Sequence, residues 1–144
     1  MDRPLSLDVN IDEIIENFSF LDDWEDRYGY LIELGNALTP VAQDEMNDAT
    51  KVQGCVSQVW LISHYDGGKL YFRGASDAHI VRGLVAIALS IFSGKTPQEI
   101  FQHDEQQVFR TIGLAEHLTP QRSNGLKSLV GKIKATAEAA LARS

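Results

Sequence analysis

The strongest constraint on the fold is an apolar helical segment in the middle of the chain, at residues 78–93. Its apolar residues fall on nearly every side of a helix, which is typical of a helix that is buried on most of its surface. They are Ile80, Val81, Leu84, Val85, Ile87, Leu89, Ile91 and Phe92. The apolar run contains Arg82 and is too short to cross a bilayer, so we predict a core helix and no membrane span.

A β-hairpin is predicted directly before this helix. Residues 58–65 have the β-branched and aromatic content of a strand, Asp66-Gly67-Gly68 form a turn, and residues 70–74 form a second strand. Two strands alone are marginally stable, so we expect residues 51–53 to add a third strand.

Helical patterns lie on both sides of this hairpin and core helix. They cover residues 11–18 and 24–38 before it, and residues 97–103, 105–112 and a last helix from Thr119-Pro120 after it. Thr96 and Glu99 form a capping box, and Ser76 or Asp77 is the expected N-cap of the core helix. The order of helices, a small sheet and further helices predicts one α+β domain over residues 1–144. We expect its sheet to be antiparallel with three strands, and residues 1–9 to be a flexible lead-in.

The charge and the cysteine content limit the classes of function. The net charge of −7 at pH 7 disfavours nucleic-acid binding and suits a basic surface on a protein partner. The stretch MDRPLSLDVN lacks the apolar core of a signal peptide. One cysteine in 144 residues precludes an internal disulfide and suits a reducing compartment, so we expect a cytoplasmic protein.

The single cysteine, Cys55, lies in the stretch VQGCVSQVW at residues 52–60. A lone cysteine is most often a small buried hydrophobe without chemistry. Here the neighbours Gln53, Gly54 and Ser57 are typical of a loop, and the following residues are typical of a strand. This setting favours a thiol presented on a loop at the edge of a rigid sheet.

Other site chemistries find little support in the sequence. Zinc and iron–sulfur sites need three or four thiolate or imidazole ligands, whereas this chain has one cysteine and four histidines in separate segments. A glycine-rich phosphate loop is also missing from the sequence. A cysteine hydrolase with His64 or His117 as base, and a pure interaction module that does not use Cys55, stay open as alternatives.

Four blocks of sequence carry a family resemblance. They are Trp24-Glu25-Asp26-Arg27-Tyr28 with Leu31-Ile32-Glu33-Leu34-Gly35; Gln53-Gly54-Cys55 with Ser57-Gln58-Val59-Trp60; Ser76-Asp77-Ala78 with Ile80-Val81 and Gly83-Leu84; and His117-Leu118-Thr119-Pro120 with Arg122-Ser123 and Gly125-Leu126. In this order they resemble the SufE family of sulfur-acceptor proteins, over most of residues 24–126.

The resemblance implies a fold and a function. The fold would be the SufE/IscU-like fold that is shared with scaffold proteins of iron–sulfur cluster assembly. Cys55 would accept the persulfide sulfur of a SufS-like, pyridoxal-phosphate-dependent cysteine desulfurase, stimulate that enzyme, and pass the sulfur to a SufBCD-like scaffold. The pyridoxal phosphate would belong to the partner, so we expect no cofactor and no metal here. A CsdE-like acceptor that feeds tRNA modification is the nearest alternative.

The resemblance also suggests supporting residues around Cys55. Gln53, Gly54 and Ser57 would shape the loop, and Asp77 would contact the partner. Arg122 would supply a cation near the thiol, and a nearby cation lowers the pKa of a cysteine. Lys51, four residues upstream, is a second candidate cation. We expect a monomer or a weak homodimer.

Overall fold

The computed structural model describes residues 11–54, 57–113 and 118–143. Their elements are α1 (Ile11–Ser19), α2 (Trp24–Asn36), a short 3-10 helix (Gln43–Glu45), β1 (Val59–Asp66), β2 (Lys69–Ser76), α3 (His79–Phe92), α4 (Pro97–Gln102), α5 (Glu105–Thr111) and α6 (Pro120–Ala142). The α+β class is confirmed. The predicted lead-in at residues 1–9, Cys55 and His117 lie outside the described residues.

The helix α3 is the centre of the core, as its apolar pattern predicts. Every residue from Gly83 to Leu89 is buried, and so are Ile91 and Phe92. The helix packs against α2, β2, α6 and α1. Burial on all sides therefore makes α3 the element on which the rest of the chain is assembled.

The contact between α2 and α3 depends on two glycines. A Cβ atom added to Gly83 would lie 2.7 Å from the carbonyl carbon of Leu31, and one added to Gly35 would lie 2.6 Å from the Cβ of Arg82. The two helix backbones therefore approach each other at a distance that only glycine permits.

The predicted hairpin is confirmed. Strands β1 and β2 pair antiparallel from Val59 opposite Ser76 to Asp66 opposite Lys69. The two-residue turn between them has positive φ at both Gly67 (60°) and Gly68 (82°), which fits the twist of a tight hairpin and favours glycine.

The predicted third strand is wrong, because the sheet in the described residues has two strands. Lys51 pairs with Trp60 only in an isolated bridge. The bridge is made by the Val52 N–H to the Val59 carbonyl and by the Leu61 N–H to the Thr50 carbonyl, each at 2.8 Å. A turn at residues 47–50 precedes this extended piece and a positive φ at residue 54 ends it, so the piece is too short to form a strand.

Most of the predicted helix starts hold. Thr96 and Glu99 form the capping box of α4, and Thr119 accepts the Arg122 N–H at the start of α6. The buried face of α6 includes Leu126, Leu129, Val130 and Ile133, which recur at helical spacing.

The predicted N-cap of α3 is wrong. Ala78 occupies the N-cap position and no side chain caps the helix. Ser76 Oγ accepts the Ala78 N–H at 3.2 Å, just outside the helix. The Asp77 carboxylate is directed instead to the start of β1, where it accepts the Gln58 N–H at 3.1 Å. A long-range hydrogen bond thus replaces the local cap.

Candidate functional site

The two ends of the thiol segment, residues 54–57, are described on either side of Cys55. Gly54 has φ of +88°, a region that favours glycine. A Cβ atom on Gly54 would also lie 2.7 Å from Ser128 Oγ. Gly54 therefore lies against Ser128 of α6, its φ favours glycine, and any larger residue would also require the Ser128 side chain to shift.

Ser57, at the other end of the thiol segment, lines a cavity of about 230 Å³ between β1, α3 and α6. The apolar residues that line the cavity are mostly buried, whereas its polar residues are partly or fully exposed, and we call these the walls and the rim. The walls are formed by Val59, Val81, Leu84, Val85, Leu126 and Leu129, and the rim by Ser57, Thr119, Gln121 and Arg122. A mainly apolar cavity with a few polar groups is the usual form of a binding site.

Arg122 lies in the first turn of α6, on the rim of this cavity. It is half-buried, and among the described residues that line the cavity it carries the only charge. The fold thus brings Arg122 to the cavity that Ser57 also lines, although the two residues are distant in the sequence. Ser57 is two residues from Cys55 in the chain.

Asp77 and Gln58 hold the base of the hairpin together. The Asp77 carboxylate accepts the Gln58 N–H, and the Asp77 N–H donates to the Gln58 carbonyl at 3.3 Å. This pair fixes the chain just after the thiol segment. Asp77 is also exposed, as is Gln53, so both remain accessible to a partner.

A lysine that the sequence interpretation missed holds the chain just before the thiol segment. Lys132 of α6 donates from Nζ to the carbonyls of Ala49 (3.1 Å) and Lys51 (3.0 Å). Burial lowers the pKa of Lys132. The proposed cation Lys51 contributes its backbone carbonyl to this contact. The sequence offered one signal for this contact: Lys132 lies three residues after Leu129, so the two fall on the same, inward-facing side of α6.

A bidentate ion pair holds the earlier part of the connector, residues 41–51. Arg73 of β2 donates from Nη1 to Glu45 Oε1 at 2.9 Å and from Nη2 to Glu45 Oε2 at 2.5 Å. The hydrogen bond from Arg73 is the main reason that the pKa of Glu45 falls to about 2. Thr50 Oγ1 also donates to the Glu45 carbonyl at 2.6 Å. The connector, which has little regular structure, is therefore held by side chains.

In the part of the chain that the structure describes, only one of the two candidate hydrolase bases, His64, can be placed. No group of three His, Cys, Asp or Glu side chains there could hold a metal ion. His64 lies five residues along β1 from Val59, or about 16 Å at the usual strand rise, and it does not line the cavity. None of the described helices has both the length and the hydropathy of a membrane span.

The fold and this site define a small α+β domain with a single thiol. In the sequence, the thiol lies between the connector, which side chains hold in place, and the two-stranded hairpin. Residues 12–137 match the family described as "SufE: Fe-S metabolism associated domain". This match spans most of the chain, and the chain belongs to the SufE family.

Curated relatives and a solved structure agree with this assignment. The chain is 53% identical over 137 residues to an uncharacterised SufE-like protein of Rhizobium meliloti strain 1021, covering 92% of this chain and 98% of the relative. It is 52% identical over 134 residues to a second such protein from Rhizobium etli, covering 90% of each. A solution structure of a hypothetical protein from Thermus thermophilus has a TM-score of 0.73 at 22% identity, covering 92% of this chain and 96% of that one, and supports the fold.

Proposed function

We propose that this chain is a sulfur acceptor of iron–sulfur metabolism and that Cys55 is the accepting residue. The observation that carries the proposal is that Cys55 is the only thiol of a SufE-family chain. The described ends of its segment support this role, because Gly54 lies against α6 and Ser57 lines a cavity with Arg122.

The proposed reaction is an exchange of one sulfur–sulfur bond for another. The Cys55 thiolate attacks the terminal sulfur of a persulfide on a pyridoxal-phosphate-dependent, SufS-like cysteine desulfurase. The enzyme's own S–S bond breaks and its cysteine leaves as a thiolate with the electron pair. A new S–S bond forms on Cys55, so the step has no net oxidation or reduction. Removing sulfur from the enzyme also allows its next turnover.

The absence of a second cysteine suits this role. A neighbouring thiol could attack the new persulfide, close a disulfide and release the sulfur as sulfide. The sequence contains no such thiol, so the sulfur can be retained until a recipient takes it. We propose a SufBCD-like scaffold as that recipient, and a tRNA-modification pathway, as in the CsdE-like branch, as the alternative recipient.

Charge and exposure suggest how the partner binds. The net charge of −7 favours a basic surface on the desulfurase. The exposed Asp77, which binds Gln58 just after the thiol segment, is our candidate for contact with the desulfurase. A reducing compartment keeps a lone thiol free, so we place the reaction in the cytoplasm, with this chain as a monomer or a weak homodimer.

Intact-protein mass spectrometry tests the proposed function. The wild type and Cys55→Ser are each mixed with a SufS-type desulfurase, free cysteine and pyridoxal phosphate. We expect one added sulfur atom on the wild type and none on the variant, together with faster sulfide release by the wild type under reductant. No adduct on the wild type with either a SufS-type or a CsdA-type desulfurase would contradict the proposal.

Substitution of Arg122 tests the role of the cation. A cation that lowers the thiol pKa by about one unit raises the thiolate fraction about tenfold at a pH below that pKa. The thiolate of lower pKa is about threefold less nucleophilic, so the net gain in rate is about threefold. We therefore expect Arg122→Ala to slow sulfur acceptance about threefold and to shift the pH midpoint of Cys55 alkylation upward. Arg122→Lys should keep most of the effect. Gln121→Ala, on the same rim, is the control, and an unchanged midpoint in Arg122→Ala would rule out this role.

A further inference from the structure

We infer that Lys132 is a positioning residue, which holds the chain that enters the thiol segment against α6. The inference rests on the proposed function for its effect on sulfur transfer, but its structural part can be tested without a partner. It depends only on described residues, namely residues 49–54 and the helix α6.

Three successive carbonyls of the connector are held from two sides. Lys132 Nζ binds the carbonyls of Ala49 and Lys51, on either side of Thr50. The Thr50 carbonyl accepts the Leu61 N–H of β1 at 2.8 Å. This short piece of chain is therefore held between the helix on one side and the sheet on the other.

The same helix meets the chain again three residues later. Ser128 is one helical turn before Lys132, and its Oγ lies where a side chain on Gly54 would have to stand. Lys132 and Ser128 thus contact the chain at two places before Cys55. The thiol segment begins at a point that α6 determines.

The buried side chain of Val52 also holds this stretch, but among the described residues Lys132 is the donor to the carbonyls of Ala49 and Lys51. Among the described residues the connector has no strand of its own, and its backbone pairing near Cys55 is limited to the bridge between Lys51 and Trp60. Partial burial of an ammonium group is unfavourable, and burial indeed lowers the pKa of Lys132. The two carbonyls offset that cost, because hydrogen bonds from a charged donor are stronger than neutral ones. Without the donor, we expect residues 49–51 to move away from α6.

Lys132→Met tests the role of these hydrogen bonds, since methionine has an unbranched apolar side chain and lacks the donors. Lys132→Arg restores a charged donor. Lys127→Met is the control, because Lys127 is exposed on the same helix and its loss changes the net charge equally. These three variants separate the hydrogen bonds from the charge.

Hydrogen exchange measures the structural part directly. The amides of Val52 and Leu61 make the two bonds of the bridge and report its opening. Loss of charge-assisted hydrogen bonds should make both amides exchange about tenfold faster in Lys132→Met. We expect no change in Lys127→Met and partial recovery in Lys132→Arg. The Leu70 amide, which donates to the Lys95 carbonyl at the far end of the hairpin, should be unaffected. Unchanged exchange at Val52 and Leu61 would overturn the inference.

Single-turnover sulfur transfer measures the functional part. If Lys132 positions the thiol segment, Lys132→Met should lower the maximum transfer rate about tenfold and leave the desulfurase concentration for half-saturation unchanged. A normal rate with faster exchange would overturn a role in transfer. If the wild type itself takes no sulfur, the proposed function fails, whereas the exchange experiment still decides whether Lys132 holds the segment.

Discussion

Replacing Gly83 with alanine should be among the most damaging single-methyl additions in this protein. Gly83 lies where α3 crosses α2, and the added Cβ would stand 2.7 Å from the carbonyl carbon and 2.8 Å from the Cβ of Leu31. Ordinary contacts of a Cβ atom begin near 3.4 Å. The carbonyl oxygen of Leu31 lies nearer still, so the helices would have to separate by more than about 0.7 Å, because backbone atoms cannot rotate out of the way.

The expected loss of stability follows from two opposing effects. Overpacking a close-packed core costs about 1–3 kcal/mol, and the rigid backbone contact at Gly83 places this case near the upper limit. Alanine in place of glycine within a helix stabilises that helix by about 1 kcal/mol, which offsets part of this cost. We therefore expect Gly83→Ala to lower the free energy of unfolding by about 2 kcal/mol, which corresponds to a fall in Tm of about 4–8 °C for a chain of this size.

Urea unfolding followed by tryptophan fluorescence is the assay, with Trp24 on α2 and Trp60 on β1 as reporters. Gly29→Ala in α2 and Gly131→Ala in α6 are matched controls, since nothing lies within 4 Å of a Cβ atom at either position. Both controls should be more stable than the wild type by up to about 1 kcal/mol. If Gly83→Ala were as stable as these controls, the close approach of α2 and α3 would be refuted.

Two further predictions concern pH. The Arg73 hydrogen bond lowers the pKa of Glu45 from 4.5 to about 2. As the pH falls, the Glu45 carboxylate is therefore protonated in the unfolded chain before it is protonated in the folded one. The stabilisation present above pH 4.5 is lost between about pH 4.5 and 2. Urea midpoints should therefore converge for the wild type and Glu45→Gln as the pH falls through that range, and parallel curves would contradict this. His103 packs edge-on against Phe92, and burial, aided by Lys95, lowers its pKa below the usual 6.5. Since the unfolded chain then binds the proton first, stability should fall as the pH drops below 6.5. An NMR titration midpoint of His103 at or above 6.5 would exclude this.

Local patterns in the sequence predicted most of the helices and the hairpin. The all-round apolar pattern of α3 and the Thr96 capping box are such signals, since their physical causes lie within a few residues. The two consecutive glycines of the hairpin turn are equally local. These elements needed no knowledge of distant contacts.

The errors occurred where local and distant partners compete. Asp77 is a good N-cap by residue type, but its carboxylate binds the N–H of Gln58, which is 19 positions away. The third strand failed because residue 54, with its positive φ, ends the extended chain after one bridge. Lys132 was missed because it binds residues more than 80 positions away. The meeting of Arg122 and Ser57 at one cavity likewise depends on the complete fold.

The helix α6 makes the number of residues between Arg122 and Lys132 as important as their identities. Arg122, Gly125, Leu129 and Lys132 recur every three or four positions and so lie along one face, over about 15 Å of helix. Inserting one residue between Gly125 and Leu129 would rotate everything downstream by about 100°. Arg122 would remain at the cavity, while Lys132 would turn away from the connector. We therefore expect evolution to tolerate substitutions in this stretch more readily than any change in its length.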